Sequence, residues 1–81
     1  MSPKSSIPFT LGEHRELGQE IKAAAARMSE LGRLVHDVYG GNSGPAYSFL
    51  KVLKALDALQ TDLEAQAALD LPGYIVDGIY R

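Results

Sequence analysis

The sequence predicts an all-α fold: a long antiparallel helical hairpin that dimerises into a four-helix bundle, followed by a short non-helical C-terminal tail. Three observations carry that expectation. An unbroken heptad seam runs through the first half as His14, Leu17, Ile21, Ala24, Met28, Leu31, Val35 and Val38, at alternating spacings of three and four residues. A glycine-rich break at Gly40–Gly44 separates it from a second apolar, helix-forming stretch. The second stretch has an apolar arc wider than a single partner helix covers.

Size and composition set the frame. With 81 residues the chain holds one domain, and with no cysteine it has neither disulfide staples nor thiolate metal ligands. Small scaffolds without such staples rely on helix packing or on self-association. A hydrophobic content of 46% with 22% charged residues excludes wholesale disorder. The formal charge of −2 argues against nucleic acid and anionic membranes as partners. The N-terminal stretch lacks the apolar run of a signal peptide, and no segment approaches the roughly 18 apolar residues of a membrane span. A cytoplasmic location is the resulting expectation.

Residues 1–9, punctuated by Pro3 and Pro8, read as a flexible arm that Ile7 and Phe9 tether to a core. Thr10 and Glu13 have the spacing of a capping box, which opens the first helix at Leu11. That helix runs over 11–39, about 40 Å at 1.5 Å per residue, and stops at Gly40-Gly41. Gly18, Ala25 and Gly32 recur at seven-residue intervals beside the seam. A mid-helix glycine costs about 1 kcal/mol relative to alanine. Three small residues on one line therefore predict a neighbouring helix packed close there. The seam places His14 towards the frayed, wetter end of the bundle.

The loop 40–44 leads to Pro45, a favoured first helical residue with Ser43 or Gly44 before it as N-cap. The second helix, 45–70, ends before Pro72-Gly73, and a short loop implies an antiparallel neighbour. Its spine is Phe49, Leu56 and Leu63, widened by Val52 and Leu59 on one side and Leu50 and Leu53 on the other. Phe49, Val52, Leu53, Leu56, Leu59 and Leu63 are thus the expected oligomer interface. Lys51 and Lys54 sit early in this helix, and Asp57, Asp62, Glu64 and Asp70 sit late, against its dipole. An antiparallel second copy of the helix offsets that mismatch, which points to a two-fold homodimer.

The tail, 72–81, leaves the helical pattern. Asp77-Gly78 between β-forming residues is a hairpin signal, but arms of three residues are too short to stand alone. The tail is expected to dock on the bundle as an irregular, extended clamp that buries Ile75, Ile79 and the tyrosine rings over the open end of the core, with a short β-hairpin or strand pairing to a protein partner as alternatives.

No catalytic constellation emerges. Neither His14 nor His36 has the carboxylate or histidine spacing of helical metal sites, and no serine stands in a strand–turn–helix setting. Glu13, Glu16 and Glu20 alternate with Arg15 and Lys22 as an exposed face does. Gly40–Gly44 lacks the ending of a phosphate loop. The expectation is a non-enzymatic, homo-oligomeric interaction or regulatory module without cofactor or metal. Two alternatives remain open at this point. One is a nucleic-acid-associated regulator using Arg27, Arg33, Lys51 and Lys54 near the loop. The other is a bundle whose metal or ligand site forms between chains.

Overall fold

The computed structural model describes residues 7–81, so residues 1–6 of the expected arm lie outside the described residues. The first helix, α1 (Leu11–Tyr39), begins where the sequence places it, because its first turn is closed from both sides. The Thr10 hydroxyl accepts the Glu13 backbone N–H at 3.1 Å, and the Glu13 carboxylate accepts the Thr10 N–H at 2.9 Å. Such a cap is worth about 1 kcal/mol. At the other end Gly40, at φ 91°, donates its N–H to the His36 carbonyl. The second helix, α2 (Gly44–Asp70), starts one residue ahead of Pro45, capped by the Ser43 hydroxyl, which accepts the Ala46 N–H at 3.2 Å.

The two helices pack against each other as an antiparallel hairpin. The line of α1 that meets α2 is not the whole predicted seam. Gly18 and Gly32 are buried and Ala25 is half-buried, whereas Ala24 and Val38 are exposed. The small-residue line therefore lies within the contact, together with His14, Ile21, Met28 and Val35. The line Leu17, Ala24, Leu31 and Val38 flanks it. The facing line of α2 is Ala46, Phe49, Leu53, Leu56, Gln60, Leu63 and Ala67, each at least half-buried. Two facing lines at heptad spacing are the expected geometry of a helical pair.

What approaches each small residue differs along the line. A Cβ on Gly32 would meet the side chains of Phe49 and Leu53. A Cβ on Gly18 would fall on the carbonyl oxygen of Ile79, so the backbone close to Gly18 belongs to the tail and not to a helix. An α-carbon without a side chain is what lets the tail lie flat on α1 at that point.

The tail folds as two consecutive turns and no strand is present among the described residues. The Tyr74 N–H reaches the Leu71 carbonyl and the Ile79 N–H the Val76 carbonyl, with Gly73 at φ 91° and Gly78 at φ 88°. Each glycine holds the third position of its turn, where a type II turn requires positive φ. The two-residue hairpin turn favoured by Asp-Gly needs positive φ at both residues, and Asp77 does not adopt it. The hairpin alternative fails for that reason, and the segment lies on the bundle instead. Its buried side chains also differ from expectation. Val76 and Tyr80 are buried and Ile79 half-buried, but Ile75 is 89% exposed and Tyr74 60% exposed. Tyr74 and Ile75, between the two turns, face outward, and the second turn brings Val76, Ile79 and Tyr80 to the helices.

Val76 and Tyr80 join Ala67 to form the buried apolar cluster, with Leu17, Ile21, Leu63, Leu71 and Ile79 packed around it. The core thus sits at the end of the hairpin away from the loop. Two helices side by side make a single layer, about 15 Å thick along its shortest axis. One layer leaves two broad faces, and the tail covers part of only one of them.

Candidate functional site

The most elaborate arrangement of polar side chains lies where the tail meets both helices. Tyr80 is fully buried and His14 is 1% exposed. His14 Nε2 lies 2.8 Å from Asp70 Oδ2, and Nδ1 lies 2.7 Å from the Tyr80 hydroxyl. A carboxylate only accepts, so the proton shared with Asp70 belongs to Nε2–H. In the neutral ring, Nδ1 then accepts the Tyr80 O–H. Phe9 and Tyr80 each meet the imidazole edge-to-face, at centroid distances of 5.3 Å and 5.8 Å. Gln66 donates to the other Asp70 oxygen at 2.8 Å.

These contacts explain the two displaced acidities. The hydrogen bonds from His14 and then Gln66 hold the Asp70 carboxyl below the usual aspartate value. Burial, followed by the negative charges of Asp70 and Glu64, pushes the Tyr80 phenol above its ordinary value. The expectation of a wet helix end at His14 is overturned. Phe9 and Tyr80 close over the ring, and both nitrogens are committed.

The rest of the tail is held mainly through its backbone. The Glu64 carboxylate accepts the N–H groups of Gly78 (2.9 Å) and Tyr80 (2.8 Å). Gln60 donates to the Tyr80 carbonyl and Lys22 to the Gly78 carbonyl. Arg81 reaches the side chain and carbonyl of Asp57 and the Thr61 hydroxyl. Sequence spacing had no means of joining His14 to residues 56 and 66 positions away. The one available signal was a histidine on an otherwise apolar seam, which needs polar partners once buried.

A cleft of about 500 Å³ opens beside this network, lined by Ile7, Pro8, Phe9, His14, Leu63, Gln66 and Asp70. A second, of about 490 Å³, lies at the loop end between Arg33, His36, Phe49, Leu50 and Leu53. Among the described residues no group of histidine and carboxylate side chains has the proximity to hold a metal ion. No described helix is long and apolar enough to cross a membrane.

The residues expected at the oligomer interface divide into two sets. Phe49, Leu53, Leu56 and Leu63 are half-buried on the line facing α1. Val52 and Leu59 are each 41% exposed on the flank. Helical spacing puts Val52 and Leu59 on the face opposite the tail, because Asp57, Thr61 and Glu64, which hold the tail, lie on the other flank of α2. In α1 the tail-side flank is marked by Lys22, which leaves Leu17, Ala24, Leu31 and Val38 on the opposite one. Gly32 lies between Phe49 and Leu53 while His14 reaches Asp70, so Leu31 is level with Val52 and Ala24 with Leu59. The tail-free face therefore carries two parallel apolar lines.

The four basic residues weighed for nucleic acid are all exposed. Arg27 pairs with Glu30 at 3.2 Å, and Lys51 lies 4.7 Å from the ring centre of its own Tyr47. Arg33 borders the loop-end cleft. Six residues apart, Arg27 and Arg33 point about 120° away from each other around α1, so the helices do not gather them onto one face.

Compared with family models, curated proteins and solved structures, the chain matches none.

Proposed function

We propose that this chain is a non-enzymatic protein-interaction module that self-associates through the face opposite its tail, completing a four-helix bundle. The supporting observation is the pair of apolar lines there: Leu17, Ala24, Leu31 and Val38 on α1, and Val52 and Leu59 on α2. Val38 is 63% exposed, Val52 and Leu59 are 41% exposed and Ala24 is exposed, while Leu17 and Leu31 are half-buried at the edge of the helix contact. A helical layer with one apolar face open gains by packing on a second layer. The His14–Asp70–Tyr80 network fits a structural role in this reading, since a buried imidazole with both nitrogens engaged has no open position for a substrate.

Sedimentation equilibrium of the full-length protein over a wide concentration range tests the proposal. A dimer at micromolar concentration, dissociating in Leu59→Glu and Val52→Glu, is the expected result. A monomer at all concentrations refutes it.

A further inference from the structure

We infer that the second copy lies end-for-end on the tail-free face, about a two-fold axis that crosses the helices, with α1 over the partner's α1 and α2 over the partner's α2. This rests on the self-association proposed above and goes on to assign its geometry. Two layers of antiparallel hairpins can meet face to face in two symmetric ways. An axis along the helices brings like ends together and stacks α1 on the partner's α2. An axis across them brings each loop end over the partner's tail end.

Charge separates the two. On the tail-end half, Glu13, Glu16 and Glu20 lie around Leu17, and Asp62 lies on the outer flank of α2, whereas Arg15, Lys22 and Glu64 are on the tail side and Asp70 is paired with His14. On the loop half no comparable acidic group lies on this face: Arg27 is paired with Glu30, Lys51 is on the outer flank of α2, and Arg33 borders the cleft on the other side. Stacking like ends sets two acidic halves together, and like-charge juxtaposition opposes association. Stacking opposite ends separates the two acidic halves and brings Lys51 towards Asp62 of the second copy. It also runs α2 antiparallel to its mate, so that Lys51 near one N-terminus approaches the acidic end of the other, where the helix dipole favours a cation.

The apolar lines are compatible with that axis. Reversing Leu17, Ala24, Leu31 and Val38 about their midpoint sets Leu17 against Val38 and the small Ala24 against the larger Leu31 of the second copy. The same operation on α2 sets Val52 against Leu59. The two midpoints fall at one level of the hairpin, because Leu31 is level with Val52 and Ala24 with Leu59. On the outer flank of α2, Lys51 comes within about one helical turn of the second copy's Asp62. Arg27 falls near the axis, where its own Glu30 already neutralises it. Two helices some 40 Å long and about 10 Å apart offer on the order of 800 Å² per copy, close to what each partner contributes to a stable interface, with Ile7, Pro8 and Phe9 forming part of the surface at the tail end beside Gln66 and Asp70. The tail faces away and takes no part.

The test uses the full-length chain carrying one spin label at Asn42→Cys, in the exposed loop, with the distance read by pulsed electron paramagnetic resonance. The crossed axis predicts a label separation of about 40 Å, and the axis along the helices one of roughly 25 Å or less. A distance near 40 Å supports the inference; a short one overturns it while leaving self-association standing. Absence of any dimer overturns both. Independently, Lys51→Glu is expected to weaken association on the order of tenfold at low salt, and adding Asp62→Lys to restore it. A double variant no tighter than Lys51→Glu alone overturns the assigned geometry.

Discussion

Two buried glycines on the same line of α1 should respond with opposite signs to the same substitution. Glycine to alanine in a helix interior ordinarily stabilises by about 1 kcal/mol, through the lost backbone freedom of the unfolded chain. At Gly32 the new methyl meets Phe49 Cδ1 at 3.4 Å and Leu53 Cδ1 at 3.6 Å, which is ordinary contact. Gly32→Ala is therefore expected to stabilise by about 0.5–1 kcal/mol. At Gly18 the methyl lands on the Ile79 carbonyl, a backbone atom that moves only if the tail moves. Lifting the tail weakens the burial of Val76 and Tyr80, worth about 1.5–3 kcal/mol for each side chain when fully lost. It also strains the hydrogen bonds to Glu64 and His14. A partial displacement outweighs the helix gain, and Gly18→Ala should destabilise by about 1–3 kcal/mol. At about 4–8 °C per kcal/mol for a chain of this size, the two variants should melt well apart. Thermal denaturation followed by circular dichroism at one protein concentration measures this. Hydrogen exchange at the Gly78 and Tyr80 amides should rise in Gly18→Ala alone. If both variants stabilise equally, the tail does not rest on Gly18 and the account of the docked tail is wrong.

Tyr80→Phe leaves His14 Nδ1 buried without its donor and should cost about 1–3 kcal/mol in urea titrations, while His14→Phe, which removes the partner of the buried tyrosine hydroxyl and leaves Asp70 with only its Gln66 hydrogen bond, should cost more. The Asp70 carboxyl is held below its unfolded value, so its contribution to stability is complete above about pH 4 and is lost as the pH falls through the lower, folded value. Asp70→Asn should accordingly be less stable than the parent at pH 6, with the gap closing towards pH 2; a gap that is constant with pH would contradict the assignment. Tyr80 shifts upward, so stability is unaffected below about pH 10 and falls as the unfolded-state phenol ionises above it, an alkaline loss that Tyr80→Phe should reduce. Arg81→Ala removes an exposed ion pair and two hydrogen bonds and should change stability by less than about 1 kcal/mol, by a smaller amount in high salt.

Local signals located most of the fold. Thr10 and Glu13, Ser43 with Pro45, and the glycines at 40 and 41 mark helix ends because capping involves residues within three or four positions of one another. The heptad spacing likewise located the buried side of each helix. It merged two adjacent lines of α1 into one seam, however, since Leu17, Ala24, Leu31 and Val38 differ in angle from the contact line by less than a quarter-turn or so. Only the placement of α2 and the tail separated the side facing inward from the flank left open. The glycine line was legible as a close approach, but what came close was not. Gly18 accommodates a backbone from the far end of the chain, a contact that no local pattern encodes.

The candidate site was the least legible element. His14, Asp70 and Tyr80 are scattered over the whole length, and each has an innocuous local reading: a seam position, a helix C-terminus and a tail aromatic. Their meeting depends on the antiparallel pairing of the helices and on two glycine turns that return the tail to α1. By itself, then, the sequence determined where the helices begin and end, which sides are apolar and that the chain reverses direction, because short-range hydrogen bonding and hydrophobic periodicity govern those features. Only the tertiary structure decided which apolar line is covered, that the tail docks through its backbone, and that a histidine on the seam is buried with both nitrogens bonded, because those outcomes depend on contacts between residues separated by 14 positions, as Gly78 and Glu64 are, up to the 66 between His14 and Tyr80.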